Sequence, residues 1–137
     1  MPFHLAVPVS DLERTADFYK EVLSCREGRS SESWKDLDFF GHQLVLHKSG
    51  KAESDKSQSN SVDGHDVPIP HFGIVLEYED WFSMEKKLKE SGIKFIIEPY
   101  VRFMGQTGEQ ATMFFYDPSG NAIELKAFRD PEQLFAH

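Results

Sequence analysis

Hydrophobic and polar positions along this chain follow two periods, and each period predicts a different kind of element. A period of two favours strands, and apolar residues three or four positions apart favour helices. The first third of the chain predicts one strand, one helix and three more strands. Their ranges are Phe3–Val9, Ser10–Ser24, Cys25–Ser31, Trp34–Phe40 and His42–His47. Ser10 and Glu13 have the spacing of a capping box at the start of the helix.

The same order of elements recurs in the second half of the chain. The ranges are His71–Tyr78, Asp80–Ser91, Lys94–Glu98, Ala111–Tyr116 and Asn121–Phe128, with a loop over Pro99–Gln110. Pro2–Val7 also matches Pro70–Val75 locally, and Gly41–Leu46 matches Gly120–Leu125, which favours an internal duplication. The pattern therefore predicts an α+β fold class made of two βαβββ modules.

A polar segment separates the two modules. Residues 49–66 are rich in Lys, Ser, Asp and Glu, and such a composition cannot bury enough apolar surface to order the chain. We interpret the segment as a mobile linker, with ordering over a ligand as the alternative. The 137 residues then form a single domain, with module one at 1–48, module two at 67–128 and a tail at 129–137 that ends in a short helical turn.

Composition and charge narrow the classes of function. Fifteen basic and 23 acidic residues give a net charge of −8, which disfavours binding to nucleic acid or to an anionic membrane. No apolar run approaches the roughly 20 residues that span a bilayer. A single cysteine, Cys25, excludes an internal disulfide. With no signal-peptide pattern after Met1, these features predict a cytoplasmic protein.

Strand alternation places three metal-type side chains on equivalent faces. His4, His71 and Glu124 all lie on the side of their strands opposite the apolar side that should pack on the helices. If the duplicated sheet curls, that face becomes a cup. Two imidazoles and a carboxylate form a facial triad that suits Fe(II), while Zn²⁺, Mn²⁺, Co²⁺ and Ni²⁺ are alternatives. The competing interpretation is that each histidine is an ordinary surface or hydrogen-bonded residue on its strand.

These residues also carry a family resemblance. The segments Phe3–Leu12, Phe18–Tyr19 and Asp117–Glu124 resemble the vicinal oxygen chelate superfamily, which includes glyoxalase I, extradiol dioxygenases, and fosfomycin and bleomycin resistance proteins. The resemblance implies a cup-shaped mixed sheet with helices on its outer face and metal positions at His4, His71 and Glu124. Gly41–His47 and Arg102–Gln110 look like a branch of small extradiol-type dioxygenases.

One position departs from the glyoxalase I pattern. That enzyme supplies a fourth ligand from the last strand of its first module, and the duplication places Val45 there. Valine cannot bind a metal. Glyoxalase I activity is therefore less expected. The difference favours a metal site with three protein ligands, open to a chelating substrate or O₂.

Other polar side chains are candidates for the lining of the cup in module one. If Gly41 lies in a tight turn, Asp36 shares a face with Gln43 and His47. Asp36 and Gln43 could hydrogen-bond a ligating histidine or a substrate oxygen, and His47 could act as a general acid or base. The alternative for all three is a solvated position on a strand.

Module two adds further candidates for substrate binding. Arg102 could pair with a substrate carboxylate or enolate, and Gln110 could add a hydrogen bond. Pairing across a four-residue turn would place Phe115 opposite Ala122, as an apolar wall. A surface salt bridge for Arg102 and core packing for Phe115 are the competing interpretations.

Together these features predict a metal-dependent enzyme, an Fe(II) dioxygenase acting on a small catechol-like or enolisable substrate. A glyoxalase-like lyase or isomerase is one alternative, and a non-catalytic protein that sequesters a small molecule is another. We also expect a homodimer, as the resemblance implies. The cup could be closed within one chain or by exchange between two chains.

Overall fold

Two four-stranded mixed sheets, each with one helix, organise the chain in this computed structural model, which describes residues 1–50 and 59–137. The first unit holds residues 1–50 and 117–121, and the second holds residues 59–116 and 122–137. Both contain the order β-α-β-β-β, so the predicted α+β class with two βαβββ modules is confirmed. Within the described ranges, no helix is long and apolar enough to cross a membrane.

The first unit is the earlier module of the chain. Its elements are β1 (His4–Val9), α1 (Leu12–Val22), β2 (Arg26–Ser30), β3 (Trp34–Phe39) and β4 (His42–Lys48). The sheet order is β1-β4-β3-β2, with β1 parallel to β4 and the other pairs antiparallel. Helix α1 buries one apolar face through Leu12, Ala16 and Tyr19.

The start of α1 differs from the prediction. Asp11, not Ser10, is the N-cap, and its carboxylate accepts the backbone N–H of Arg14 at 3.1 Å. Ser10 is instead engaged through its own backbone N–H, which donates to the hydroxyl of Ser119 at 3.0 Å. A capping-box spacing in the sequence cannot reveal such a competing partner.

A loop from the later module completes the first unit. Ser119 Oγ lies 2.7 Å from the hydroxyl of Thr15, and the phenol of Tyr19 donates to Asp117 at 2.8 Å. Asn121 donates its side-chain amide to the carbonyl oxygen of Pro8 at 2.9 Å. Because burial removes Asp117 from water, its pKa is raised, although hydrogen bonds from Asn121, Tyr19 and Ser119 oppose the shift.

The second unit contains the remaining strands and a second helix. Its elements are β5 (Ser59–Val62), β6 (His65–Pro68), β7 (Phe72–Leu76), α2 (Tyr78–Glu90), β8 (Phe95–Arg102), β9 (Gln110–Tyr116) and β10 (Ala122–Phe128). The main sheet has the order β7-β10-β9-β8, with β7 parallel to β10. Trp81 of α2 is buried and donates its indole N–H to the carbonyl oxygen of Leu125 at 2.9 Å. The predicted helical turn in the tail is present at Pro131–Phe135.

Strand β8 is longer than the sequence predicted. It continues through Pro99 to Arg102, where we expected a loop to begin. Strand β8 is at the edge of its sheet, and its pairing with β9 is irregular between Ile97 and Tyr100. A proline lacks the N–H that regular pairing needs, and an irregular edge strand tolerates that loss.

Part of the predicted linker is a hairpin. Residues 51–58 of the 49–66 segment lie outside the described residues, but β5 and β6 pair with Val62 opposite His65. Asp63 and Gly64 form the turn with φ values of 52° and 77°, the left-handed conformation that an Asp-Gly hairpin turn requires. An Asp-Gly pair is typical of a hairpin turn, but the segment was predicted as a mobile linker.

Candidate functional site

Two of the three predicted metal ligands are in contact within the second unit. His71 immediately precedes β7, and Glu124 lies in β10, the strand that pairs with β7. The Nε2 atom of His71 is 3.1 Å from Oε2 of Glu124, with 29% and 12% of the two side chains exposed. Strand alternation predicts these side chains on one face, and the observed register agrees.

A glycine allows the two strands to approach at this point. Gly73 pairs directly with Glu124 in the β7–β10 register. A Cβ atom at position 73 would overlap the carbonyl oxygen of Glu124. The lack of a side chain at Gly73 therefore permits the pairing that brings His71 beside the carboxylate.

The second oxygen of Glu124 is already held by other groups. Thr112 donates its hydroxyl to Oε1 at 2.7 Å, and the ammonium of Lys126 lies 3.3 Å from the same oxygen. Burial raises the pKa of Glu124, but the contacts with His71, Lys126 and Thr112 outweigh burial, so the net shift is downward. The carboxylate is thus ionised, with Oε2 directed at His71.

Both ring nitrogens of His71 face groups that can only accept. Nδ1 lies 2.8 Å from the carbonyl oxygen of Pro68 and Nε2 faces Glu124, so a metal ion bound at Nε2 would leave the single proton on Nδ1. In that form the Nε2 lone pair faces the carboxylate of Glu124. The hydrogen bond with Glu124 raises the pKa of His71, burial opposes it, and the bond to Pro68 adds to it.

The third predicted ligand, His4, lies in the first unit, and its Nδ1 also faces an oxygen atom. His4 Nδ1 lies 2.8 Å from Oε1 of Gln43, and Gln43 Nε2 donates to Asp36 at 3.3 Å. Because the carboxylate of Asp36 holds the NH₂ end of the amide, the oxygen end of Gln43 faces His4. An amide oxygen only accepts, so Nδ1 of His4 is the protonated nitrogen and Nε2 keeps its lone pair.

These donors suit a divalent metal. Metal-binding histidines commonly coordinate through one ring nitrogen while the other donates to an oxygen, and His4 and His71 both have that pattern. His4 belongs to one unit, and the His71–Glu124 pair belongs to the other. Across residues 1–50 and 59–137, no three His, Cys, Asp or Glu side chains form a cluster ready to hold a metal ion.

A cleft of about 490 Å³ opens in the first unit beside the hydrogen bonds that Gln43 makes with His4 and Asp36. Gln43 and Asp36 line it together with Gly28 and His42. His47 lies farther along the face of Gln43, where it is exposed and pairs across the sheet with Trp34. The expected sharing of one face by Asp36, Gln43 and His47 therefore agrees with the observed register.

Arg102 and Gln110 share the face of Glu124 but have protein partners. The Nε atom of Arg102 lies 2.5 Å from Oδ2 of Asp63, an ion pair without hydrogen-bond geometry at that nitrogen. Gln110 is buried and donates to the carbonyl oxygen of Gly108 at 3.3 Å. Both side chains, which were predicted to bind substrate, thus already contact groups of the protein.

The predicted pairing of Phe115 is wrong. We expected it opposite Ala122, but it pairs with Ile123 and is fully buried on the opposite face from Glu124. The connection is one residue longer than predicted, so Phe114 stands beside Glu124 instead. The ring of Phe114 packs edge-on against that of His71, with centroids 5.1 Å apart.

Thr112 and Lys126 were not among the predicted site residues. Alternation alone puts Lys126 on the face of Glu124, which was a usable signal. Thr112 was hidden by the one-residue error in pairing, because the observed register sets it opposite Lys126. Both residues now contact the carboxylate of Glu124.

Comparisons with known proteins agree with this architecture. The family model described as "Glyoxalase/Bleomycin resistance protein/Dioxygenase superfamily" matches residues 2–125. A crystal structure of a glyoxalase/bleomycin resistance protein/dioxygenase from Alicyclobacillus acidocaldarius is 34% identical, with a TM-score of 0.80 over 98% of this chain and 96% of that one. A glyoxalase domain-containing protein of Mycosarcoma maydis is 27% identical over 131 residues, 93% of this chain and 68% of that protein.

A more distant structural neighbour shares only the fold. It is a mutant of the genomically encoded fosfomycin resistance protein of Listeria monocytogenes, complexed with Mn(II) and a dihydroxypropylphosphonic acid. Its identity to this chain is 19%, with a TM-score of 0.71 over 100% of this chain and 98% of that one.

Proposed function

Because this chain belongs to the glyoxalase/bleomycin resistance protein/dioxygenase superfamily, we propose that it is a metal-dependent enzyme acting on a small molecule. The metal is held by His4, His71 and Glu124. The reaction is an Fe(II)-dependent dioxygenation, of the extradiol type, on a substrate with two adjacent oxygens. The proposal includes a cytoplasmic homodimer.

The contact between His71 and Glu124 carries this proposal. When His71 is neutral with its proton on Nδ1, an Nε2 lone pair and a carboxylate oxygen face each other at 3.1 Å, an arrangement that is repulsive unless a positive centre lies between them. A proton fills that place in the metal-free protein. A divalent cation bound to both atoms would replace it, and Nε2 of His4 is the matching third donor.

A metal held by two imidazoles and a carboxylate keeps coordination positions open for chelating substrate oxygens and for O₂. The chain's own side chains complete the chemistry. The ammonium of Lys126 lies where it would attract an anionic substrate oxygen, and the carboxylate of Asp36 can accept a substrate hydroxyl. Exposed His47 is the candidate to exchange a proton with the substrate.

Metal analysis after anaerobic purification is the first test. We expect about one Fe per chain in the wild type and strong loss in His4→Ala and in Glu124→Ala. His137→Ala is the control, because His137 is exposed in the tail and belongs to no proposed ligand set. Loss of metal in His137→Ala to the same extent would contradict the assignment.

The reaction itself needs a second experiment. The Fe-loaded protein should consume O₂ with a catechol, and Lys126→Met should raise the KM for an anionic substrate more than for a neutral one. Full occupancy by Ni or Zn, with no O₂ uptake on any catechol, would exclude the dioxygenase and favour a lyase or isomerase. Tight small-molecule binding without any metal would favour sequestration.

A further inference from the structure

The β5–β6 hairpin of the second unit touches the candidate metal centre through its last residue. Pro68 ends β6, and its carbonyl oxygen accepts from Nδ1 of His71 at 2.8 Å. The position of that carbonyl depends on the hairpin, because Pro68 pairs with Ser59 of β5. Whatever anchors the hairpin to the sheet therefore also acts on His71.

One anchor is apolar. Val67, the neighbour of Pro68, is 9% exposed and packs in a cluster with Ile97 and Phe114. The same Phe114 ring stands edge-on to the His71 ring. The packing of Val67 thus holds the backbone on one side of His71, and the aromatic ring it contacts confines the imidazole on the other.

The second anchor is at the tip of the hairpin. Asp63 accepts the phenol of Tyr100 at 3.1 Å and forms the ion pair with Arg102. The ring of His65 lies 5.0 Å from that of Tyr100, between centroids. Strand β8 therefore holds the turn of the hairpin by polar and aromatic contacts, while Val67 is held deeper in the sheet.

We propose that this hairpin is a positioning element for the metal centre, in which Val67 and Asp63 hold the Pro68 carbonyl where it accepts Nδ1–H of His71 and leaves Nε2 for the metal. Arg102 and Tyr100 then act through the hairpin rather than on the substrate. The inference rests on the proposed function for its metal-binding consequence only. The hydrogen bond between His71 and Pro68 is a property of the metal-free protein.

Two variants of the full chain test the inference, each with a matched control. Val67→Ala shortens the deep anchor, and Val101→Ala makes the same change at a half-buried position outside the Val67 cluster, on the same sheet. Asp63→Ala removes the tip anchor, and Asp66→Ala removes an exposed carboxylate from the same hairpin. Asp63→Ala lies at the surface, so it remains informative if Val67→Ala fails to fold.

Two readouts apply to all four variants. The solvent-exchange rate of the Nδ1–H proton of His71, recorded by NMR without metal while both ring nitrogens are protonated, reports its hydrogen bond to Pro68. Calorimetric titration with Mn(II) reports affinity. In Val67→Ala or Asp63→Ala that proton should exchange faster, and Mn(II) should bind about tenfold more weakly or worse. Both controls should stay within about twofold of the wild type.

The outcomes separate this inference from the proposed function. If both anchor variants keep the wild-type exchange rate and affinity, or if the controls change as much as they do, the hairpin has no positioning role. If the wild type binds no Mn(II) and no Fe(II), the metal centre is refuted. The comparison of exchange rates then decides the role of the hairpin by itself.

Discussion

Nε2 of His71 and Oε2 of Glu124 face each other at 3.1 Å, and each group has its other polar atom bound elsewhere. Because Pro68 and Thr112 occupy those other atoms, the two facing atoms have only each other as partners among residues 1–50 and 59–137. The pair therefore binds either a proton or a metal ion at one place, and proton and metal compete.

This competition predicts opposite effects of pH on stability and on metal binding. The folded-state pKa of His71 is raised from 6.5, so its contribution to stability is complete below that value and is lost as pH rises through the folded pKa. The pKa of Glu124 is lowered from 4.5, so its contribution is lost as pH falls through the folded pKa. The pair should stabilise the metal-free protein most between pH 4.5 and pH 6.5.

Chemical denaturation of the metal-free wild type and of Glu124→Gln measures that effect. The difference in the free energy of unfolding should be largest in the stated window and shrink above it. Metal affinity, measured by calorimetry, should instead rise with pH through the raised His71 pKa. A metal affinity that stays constant across that range would show that His71 is not a ligand.

Gln43→Leu should weaken metal binding without touching a ligand. The substitution removes the oxygen that holds Nδ1 of His4, and loss of such a partner costs roughly 10- to 100-fold in metal affinity. Asp38→Asn is the control, because Asp38 lines the same cleft but binds Arg26 and the backbone of Gly41. Equal affinities of Gln43→Leu and wild type in a metal titration would remove His4 from the ligand set.

Gly73→Ala should destabilise the second sheet. The added methyl group would overlap the backbone of Glu124, so the β7–β10 pair must separate, at a cost of about 3 kcal/mol in the free energy of unfolding. Gly28→Ala is the control, since a Cβ there meets Asp36 only at ordinary contact distance, 3.5 Å. Urea denaturation compares the two, and a Gly73→Ala protein as stable as the control would contradict the close approach of β7 to β10.

Asp117→Asn should destabilise the first unit. The carboxylate accepts four hydrogen bonds, from the phenol of Tyr19, the backbone of Ser119, and the backbone and side chain of Asn121. An amide can accept only part of that set, so we expect a loss of about 3 kcal/mol, with about 1 kcal/mol for Tyr19→Phe. Thermal or urea unfolding measures both losses in stability. A larger loss in Tyr19→Phe than in Asp117→Asn would show that the hydrogen bond from Tyr19 matters more than the hydrogen bonds within the loop.

The sequence predicted the faces of single strands better than the pairing between strands. His4, His71 and Glu124 were assigned correctly to their faces, because alternation along a strand is a local property. The β9–β10 register was wrong by one residue, since the length of the connection depends on contacts of Asp117 and Ser119 with α1 and the residues before it. No pattern in the sequence shows those contacts.

The polar linker illustrates the same limit. Its composition suggested a segment with little to bury, but Val62 and Val67 are enough for a hairpin because the sheet already offers Ile97 and Phe114. The Asp63-Gly64 turn was recognisable in the sequence, whereas its attachment to Tyr100 and Arg102 was not.

The loop Asp117–Asn121 has a consequence for the independence of the two modules. It is encoded in the later module but is part of the first unit, where it satisfies the buried hydroxyl groups of Thr15 and Tyr19. A fragment ending before residue 59 would leave both groups without these partners. The first module therefore depends on the later one, and we expect that a cut at the module boundary would not yield an autonomous first half.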